Sequence, residues 1–250
     1  MTLHTAFPWG AEALVPPPLP EAPEAACWKS HALFRGLTEE ERTLVTRYFT
    51  AETLVAGEVL RPIDRNQGHV GIVLTGALRE DANRSQCETD LLGVVFGGGL
   101  LCPTGPRLPQ LTETALCDTQ VWICPQDDFA LLADQIPRLV TNLVTETQNR
   151  LSEAIALYQL RGSQTALARV AGLIAHFAAR QGQPEVVALH LSRQDLGALA
   201  ALTPETVSRK IKALERADIL SLVAPSRLVI RDSRRLLAAT WANGPRARAA

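Results

Sequence analysis

The sequence predicts an α+β protein in three parts: a β-rich N-terminal half, one long helix, and a helical C-terminal part that ends in a two-stranded wing. Three observations carry this. Short apolar runs broken by glycines fill residues 49–124. A heptad of apolar positions follows over 140–158. Residues 191–231 then hold two short helical patterns with capping signals, followed by two alternating runs.

Residues 1–26 are rich in Pro, Ala and Glu and read as a flexible arm. Residues 37–48 read as a short helix, which Thr38 can cap with Glu41 in capping-box spacing. Apolar runs at 70–78, 91–96 and 120–124 are punctuated by Gly57, Gly68, Gly76, Gly93 and the triplet Gly97-Gly98-Gly99. Many short strands at this spacing predict a sandwich or barrel. The triplet is not a phosphate loop, because neither G-x-x-x-x-G-K-S/T nor G-x-G-x-x-G with a following helix is present.

From Asp127 onward the texture is helical, and Pro137 suits the first turn of a long helix. Val140, Val144, Thr147, Leu151, Ala154 and Tyr158 follow at alternating spacings of four and three, which makes a heptad seam. Leu139, Leu143 and Ile155 form a second apolar stripe beside it. One stripe can face the strands and the other a partner chain, so a homodimer is expected; the alternative packs both stripes within one chain. Thr147 and Ala154 weaken the seam, which suits an adjustable pairing. Gly162 and Ser163 break the helix, and Leu167, Val170, Leu173, Ile174 and Phe177 line one side of the next, over 166–179. The resulting division is an arm (1–26), a β-rich domain (27–135), a dimerisation helix (136–160) and a C-terminal domain (161–250).

Charge separates along the same line. Residues 1–160 hold 11 Lys and Arg against 20 Asp and Glu, whereas residues 161–250 hold 14 against 6. This suggests that only the second part meets a polyanion; the alternative is chance clustering on solvated faces. No apolar run approaches the roughly 20 residues that span a bilayer, and the Pro-rich start lacks the basic region of a signal peptide. No membrane partner and a cytoplasmic location are expected.

The C-terminal motif is the most specific feature. Ser192-Arg193-Gln194-Asp195 has capping-box spacing and starts a helix through Ala200. Ala201-Leu202 makes a tight turn, Thr203 caps a second helix and Pro204 takes its first position. Val207, Ile211 and Leu214 lie on one face of that helix, with Glu205, Ser208, Arg209 and Lys212 on the other. Two short helices with a tight turn form a helix-turn-helix, whose second helix enters the major groove of double-stranded DNA. Arg209 can bond guanine O6 and N7, Glu205 can accept from cytosine N4, and Ser208 can serve either partner. Arg193, Thr203, Thr206 and Lys212 suit phosphates, which fix register. The runs 220–223 and 227–230, around Pro225-Ser226, read as a two-stranded wing.

The stretch L-S-R-Q-D-L-G-A-L-A-A-L-T-P-E-T-V-S-R-K-I-K-A-L-E resembles the helix-turn-helix of the CRP/FNR family of bacterial regulators. V-L-T-G-A-L at 73–78 and Cys124-Pro125-Gln126-Asp127-Asp128-Phe129 are also similar to that family. The likeness covers residues 27–240. It implies a β-roll (a jelly roll like cyclic-nucleotide-binding domains), a long dimerisation helix and a winged helix-turn-helix. It also implies RNA polymerase as a partner of any activator. The pattern Glu205, Ser208, Arg209 resembles FNR-like and FixK-like members, implying an inverted repeat of TTGAT-like half-sites; cyclic-AMP-responsive members place Gly where Ser208 stands.

The resemblance also frames the sensor. FNR proper holds an iron–sulfur cluster on an N-terminal cysteine group plus one roll cysteine, which would fall near Trp122 here. This chain has only Cys27 in the N-terminal region, so that cluster does not carry over. Cys27, Cys102, Cys117 and Cys124 are the sensor candidates. They leave three readings open: a cluster in another arrangement, a redox-responsive disulfide or thiol, or simple packing. Haem bound through a Cys or a His, with His31 and His69 the histidines to consider, is a further one. Cyclic AMP is not expected, because Gly97-Gly98-Gly99-Leu100 lacks the family's Glu and Arg107 sits poorly against its register. No Ser-His-Asp signature, zinc motif or nucleotide loop points to an enzyme. The readings that remain are a redox- or oxygen-responsive regulator, a regulator that binds constitutively, and a small-molecule-binding roll.

Overall fold

A computed structural model describes residues 28–60, 68–83, 89–102, 111–162 and 165–240. The arm at 1–26, Cys27, Cys87 and Arg107 lie outside the described residues. The chain is an α+β protein with a β-roll, a long helix and a C-terminal winged helix-turn-helix.

Two single-turn helices, Trp28–Ser30 and Ala32–Phe34, precede α1 (Glu39–Tyr48). Thr38 and Glu41 close a reciprocal capping box at its start, with bonds of 3.2 and 2.7 Å. The roll follows as β1 (Thr50–Leu54), β2 (Val59–Leu60), β3 (His69–Thr75), β4 (Ala77–Asn83), β5 (Thr89–Phe96), β6 (Leu100–Leu101), β7 (Leu111–Ala115) and β8 (Thr119–Pro125). Its two antiparallel sheets have the orders β1-β8-β3-β6 and β2-β7-β4-β5. Leu54, Leu60, Val73, Leu78, Val95, Leu101, Ala115, Val121 and Ile123 fill one buried cluster drawn from both sheets.

The apolar run at 70–78 is two strands, not one. Gly76 turns the chain between the sheets at φ +89°, and a Cβ there would meet the Thr119 Oγ1 and the Asp118 carbonyl. The positive φ that only glycine takes easily is what divides the run.

After the roll come α2 (Gln126–Gln135), α3 (Pro137–Gly162) and α4 (Ala166–Arg180). Trp28, Phe34, Phe49, Trp122 and Phe129 form an aromatic cluster that α1, α2 and the start of α3 cover, with Trp28 and Trp122 centroids 4.5 Å apart. The C-terminal part is β9 (Val187–Ala188), α5 (Arg193–Ala200), α6 (Pro204–Arg216), β10 (Leu220–Ala224), β11 (Arg227–Ile230) and α7 (Ser233–Thr240). The wing has a third strand that the sequence pattern did not offer: β9 pairs with β11 through Val187 and Ala188. A two-residue strand is too short to show alternation.

The two apolar stripes of α3 divide differently from expectation. Leu139 is buried and Leu143 packs against the aromatic cluster, but Ile155 is 49% exposed and lies with the seam. Val140, Val144, Leu151 and Tyr158 are 47, 51, 59 and 74% exposed, and Thr147 and Ala154 are exposed as well. The seam is therefore not packed within the chain. Farther along α3, Leu157 and Leu160 turn toward α4, where the Leu160 side chain closes over Gly172.

Candidate nucleic-acid interface

The geometry of the C-terminal motif begins with two caps. Ser192 Oγ accepts from the Asp195 N–H at 3.1 Å, and Asp195 Oδ2 accepts from the Ser192 N–H at 3.2 Å. This reciprocal box starts α5. At its other end Ala201 adopts a left-handed conformation, φ 52° and ψ 53°. The Leu202 N–H reaches back to the Gly197 carbonyl at 2.9 Å. A Cβ on Gly197 would stand 2.5 Å from the Leu202 carbonyl oxygen. Only glycine lets α5 and α6 approach this closely.

Thr203 then caps α6. Its Oγ1 accepts from the Thr206 N–H at 3.3 Å, and its hydroxyl bonds the Thr206 hydroxyl at 3.1 Å. Val207, Ile211 and Leu214 are buried, which fixes the rotation of α6 and turns its other face outward. Glu205, Arg209 and Lys212 are exposed and Ser208 is half-exposed on that face. Together with Pro204 and Arg216 they line one open groove. Arg216 lies four residues after Lys212 on the same face, and only that helical spacing could have revealed it. Among the described residues, no hydrogen bond or ion pair engages the side chains of Ser208, Arg209 or Lys212. Glu205 stays ionised: its own backbone N–H, then the Thr203 hydroxyl, hold its carboxyl below the usual range.

The remaining phosphate candidate is turned inward. Arg193 donates from Nη2 to the Pro225 carbonyl at 2.9 Å, and its Nη1 is buried. It braces the wing turn against α5. The wing is also tied to α6, since the Leu222 N–H donates to Glu215 Oε1 at 3.1 Å.

Among the described residues, the sensor candidates Cys102, Cys117 and Cys124 do not meet. Cys124 is fully buried in the aromatic cluster, its thiol 3.4 Å from the Pro125 carbonyl, and burial pushes its pKa up. Cys102 lies at the edge of that cluster, next to Thr147 and Arg150 of α3; burial raises its pKa as well. Cys117 packs against a different core, the one shared with the C-terminal part. Among the described residues no group of three or more His, Cys, Asp or Glu side chains is placed to hold a metal. Where the family resemblance would put the roll cysteine, Trp122 is fully buried against Trp28. These three cysteines thus do not fit a shared cluster. Both ring nitrogens of His31 are engaged, one with the Gly98 carbonyl and one with the Leu33 N–H. His69 Nε2 lies 2.9 Å from Glu113.

The glycine triplet is likewise engaged internally. The N–H groups of Gly97, Gly98 and Gly99 donate to the carbonyls of Gly76, Val73 and Phe96. Nearby, Arg150 of α3 reaches into the roll, donating from Nη2 to both Glu80 oxygens at 2.6 and 2.8 Å and from Nη1 to the Leu100 carbonyl at 2.8 Å. Burial opposes its charge, but the charge and hydrogen bonds of Glu80 outweigh this and raise the Arg150 pKa.

Residues 168–239 match the model of the Crp-like helix-turn-helix domain. The chain is 24% identical over 176 residues to the transcriptional activator protein FnrL of Cereibacter sphaeroides, covering 67% of this chain and 71% of that one. It is 28% identical over 214 residues to the cyclic AMP receptor protein of Thermus thermophilus, covering 82% and 94%. Among solved structures, FixK2 from Bradyrhizobium japonicum aligns with a TM-score of 0.69 at 26% identity, covering 78% of this chain and 99% of that one. No helix among the described residues is long and apolar enough to cross a membrane.

Proposed function

The chain belongs to the CRP/FNR family of DNA-binding transcription regulators, and on that premise we propose that it acts as a homodimer reading an inverted repeat of TTGAT-like half-sites. The observation that carries this is the outward face of α6. Glu205, Ser208 and Arg209 stand together there on a rigidly capped helix, while its apolar face is locked into the core. These three read bases, and Lys212 with the α6 cap at Thr203 and Thr206 meets phosphates. Arg193 acts from behind, through the wing. The exposed seam Val140, Val144, Thr147, Leu151, Ala154 and Tyr158 supports a parallel pairing of two α3 helices across a two-fold axis. As an activator the protein would also engage RNA polymerase.

Cyclic AMP is not part of this reading, although one relative is named for it. The triplet amides are all bonded within the roll, which leaves none for a phosphate. We assign the signal to redox or oxygen chemistry at the thiols. Cys102 is the best placed of the described cysteines, because its thiol neighbours Thr147 and Arg150 of α3. Constitutive binding is the competing reading.

Mobility-shift titrations with TTGAT-type inverted repeats, under reducing and under oxidising conditions, test all of this. Binding is expected, with a redox difference that Cys102→Ser removes. Equal binding in both conditions would favour the constitutive regulator, and no shift in either would sink the DNA-reading assignment. Leu151→Asp should leave a folded monomer by sedimentation, with affinity for the full repeat reduced to that for one half-site.

A further inference from the structure

The helix α5 is gripped at both ends by arginines that lie outside the helix-turn-helix. At its C-terminal end Arg161, in the last turn of α3, donates from Nε to the Leu199 carbonyl at 2.9 Å. Arg169 of α4 donates to the Ala200 and Ala201 carbonyls at 3.4 and 3.2 Å. These carbonyls have no partner within the helix and carry the negative end of its dipole, so cations are favoured there. At its N-terminal end the grip comes from the roll. Arg79 of β4 donates from Nη1 to Asp195 Oδ1 at 2.5 Å, across 116 residues of sequence.

Arg79 is not a loose surface charge. Asp81, two residues along the same strand, takes its Nε and Nη2 donors at 2.6 and 2.8 Å. That fork holds the guanidinium plane and leaves Nη1 aimed at the helix. Asp195 is equally fixed, because its other oxygen accepts from the Ser192 N–H and hydroxyl. The Asp195 carboxyl is held below the usual range: burial opposes this, but Ser192 and Arg79 outweigh it.

We propose that Arg79 and Asp195 are positioning residues that set the angle at which each recognition helix meets DNA, and so set the spacing between half-sites that the dimer accepts. The reasoning runs through Gly197. The α5–α6 turn has little slack, since the Leu202 carbonyl oxygen stands 2.5 Å from where a Gly197 Cβ would be and the Leu202 N–H is bonded to the Gly197 carbonyl at 2.9 Å. Whatever orients α5 therefore orients α6. One link between α5 and the rest of the molecule is the shared apolar core with the Arg161 and Arg169 bonds, and the other is the Arg79–Asp195 pair, a direct polar link to the roll. With both links in place, two recognition helices on a dimer have a fixed separation, and half-site spacing becomes a geometric property of the protein.

This rests on the DNA-binding reading above. The full-length protein is titrated by fluorescence anisotropy against duplexes carrying two TTGAT-type half-sites at a series of spacings, and against a single half-site. Wild type is expected to favour one spacing by about tenfold over its neighbours. Arg79→Gln and Asp195→Asn should each flatten that preference by about threefold or more, and the double variant should be no worse than either single one. Asn at 195 keeps an acceptor for the Ser192 N–H, so the cap survives. Arg79→Lys should restore part of the preference. Single-half-site affinity should not change; the thermal midpoint should fall in Arg79→Gln, which leaves buried Asp81 without its fork, and stay close to wild type in Asp195→Asn, which keeps that fork. An unaltered spacing profile in both variants overturns the proposal, and so does an equal loss at every spacing and on the half-site. If wild type binds no repeat at any spacing, the DNA-reading assignment itself fails.

Discussion

The outward face of α6 and the charged cluster inside the roll are built from the same residue types to opposite ends. On α6, Glu205, Arg209 and Lys212 stand in solvent, and Ser208, Arg209 and Lys212 have no partner among the described residues. In the roll, Glu80 and Glu113 are directly opposite on neighbouring strands and both are buried. Arg150 answers the first and His69 the second. A buried charge left unpaired is costly, so the roll closes each of its own. An exposed charge without a partner costs little to hold, and it remains available to something outside. The comparison teaches where to look for ligand recognition: in the groups the fold leaves over.

The largest effect should come from breaking a pair in the roll. Arg150→Leu strands Glu80 and should lower stability by about 3 kcal/mol in urea titrations at neutral pH. Adding Glu80→Gln should recover much of that loss; failure to do so would mean that Arg150 acts through packing instead. On α6 the opposite pattern is expected. Arg209→Ala should cost about 1–3 kcal/mol of binding per half-site and relax base preference, with no change in thermal midpoint. Equal losses on specific and random DNA would reassign Arg209 to phosphate.

Two smaller effects sharpen the contrast. Thr203→Ala removes the α6 cap and should cost about 1 kcal/mol of stability, whereas Thr203→Ser should cost little. The last concerns His69. Burial pushes its pKa down, but the Glu113 hydrogen bond and charge, with the charge of Glu52, outweigh this and leave it raised above 6.5. The folded state thus binds the proton more tightly than the unfolded one. Its contribution is full below the ordinary imidazole value and is lost as pH rises through the raised one. Thermal midpoints should fall as pH increases across that window, and His69→Gln should remove that part of the slope.

Much of the C-terminal motif was legible in the sequence because its signals are local. Thr203 followed by Pro204, Ser192 followed by Asp195, and the spacing of Val207, Ile211 and Leu214 each lie within one or two helical turns. The Thr38–Glu41 box and Pro137 belong to the same class. What escaped depends on residues far apart in the chain. The strand β9 is defined by its pairing with β11, Ile155 by what α3 leaves uncovered, and the inward turn of Arg193 by the position of Pro225. The Arg79–Asp195 pair had no sequence signal, since nothing near either residue announces the other. Gly197 was in plain view, but its necessity appears only when the Leu202 carbonyl arrives beside it.

One core runs through both halves of the molecule. Ala77, Leu91 and Phe96 of the roll are buried with Val170, Phe177 and Leu199 of the C-terminal part, and the Phe96 and Phe177 rings meet edge to face at 5.3 Å. Neither half can open without exposing apolar surface of the other. The two should therefore melt as one cooperative unit, with calorimetric and van't Hoff enthalpies in agreement, and amides of β5 and α4 should exchange hydrogen through the same global opening.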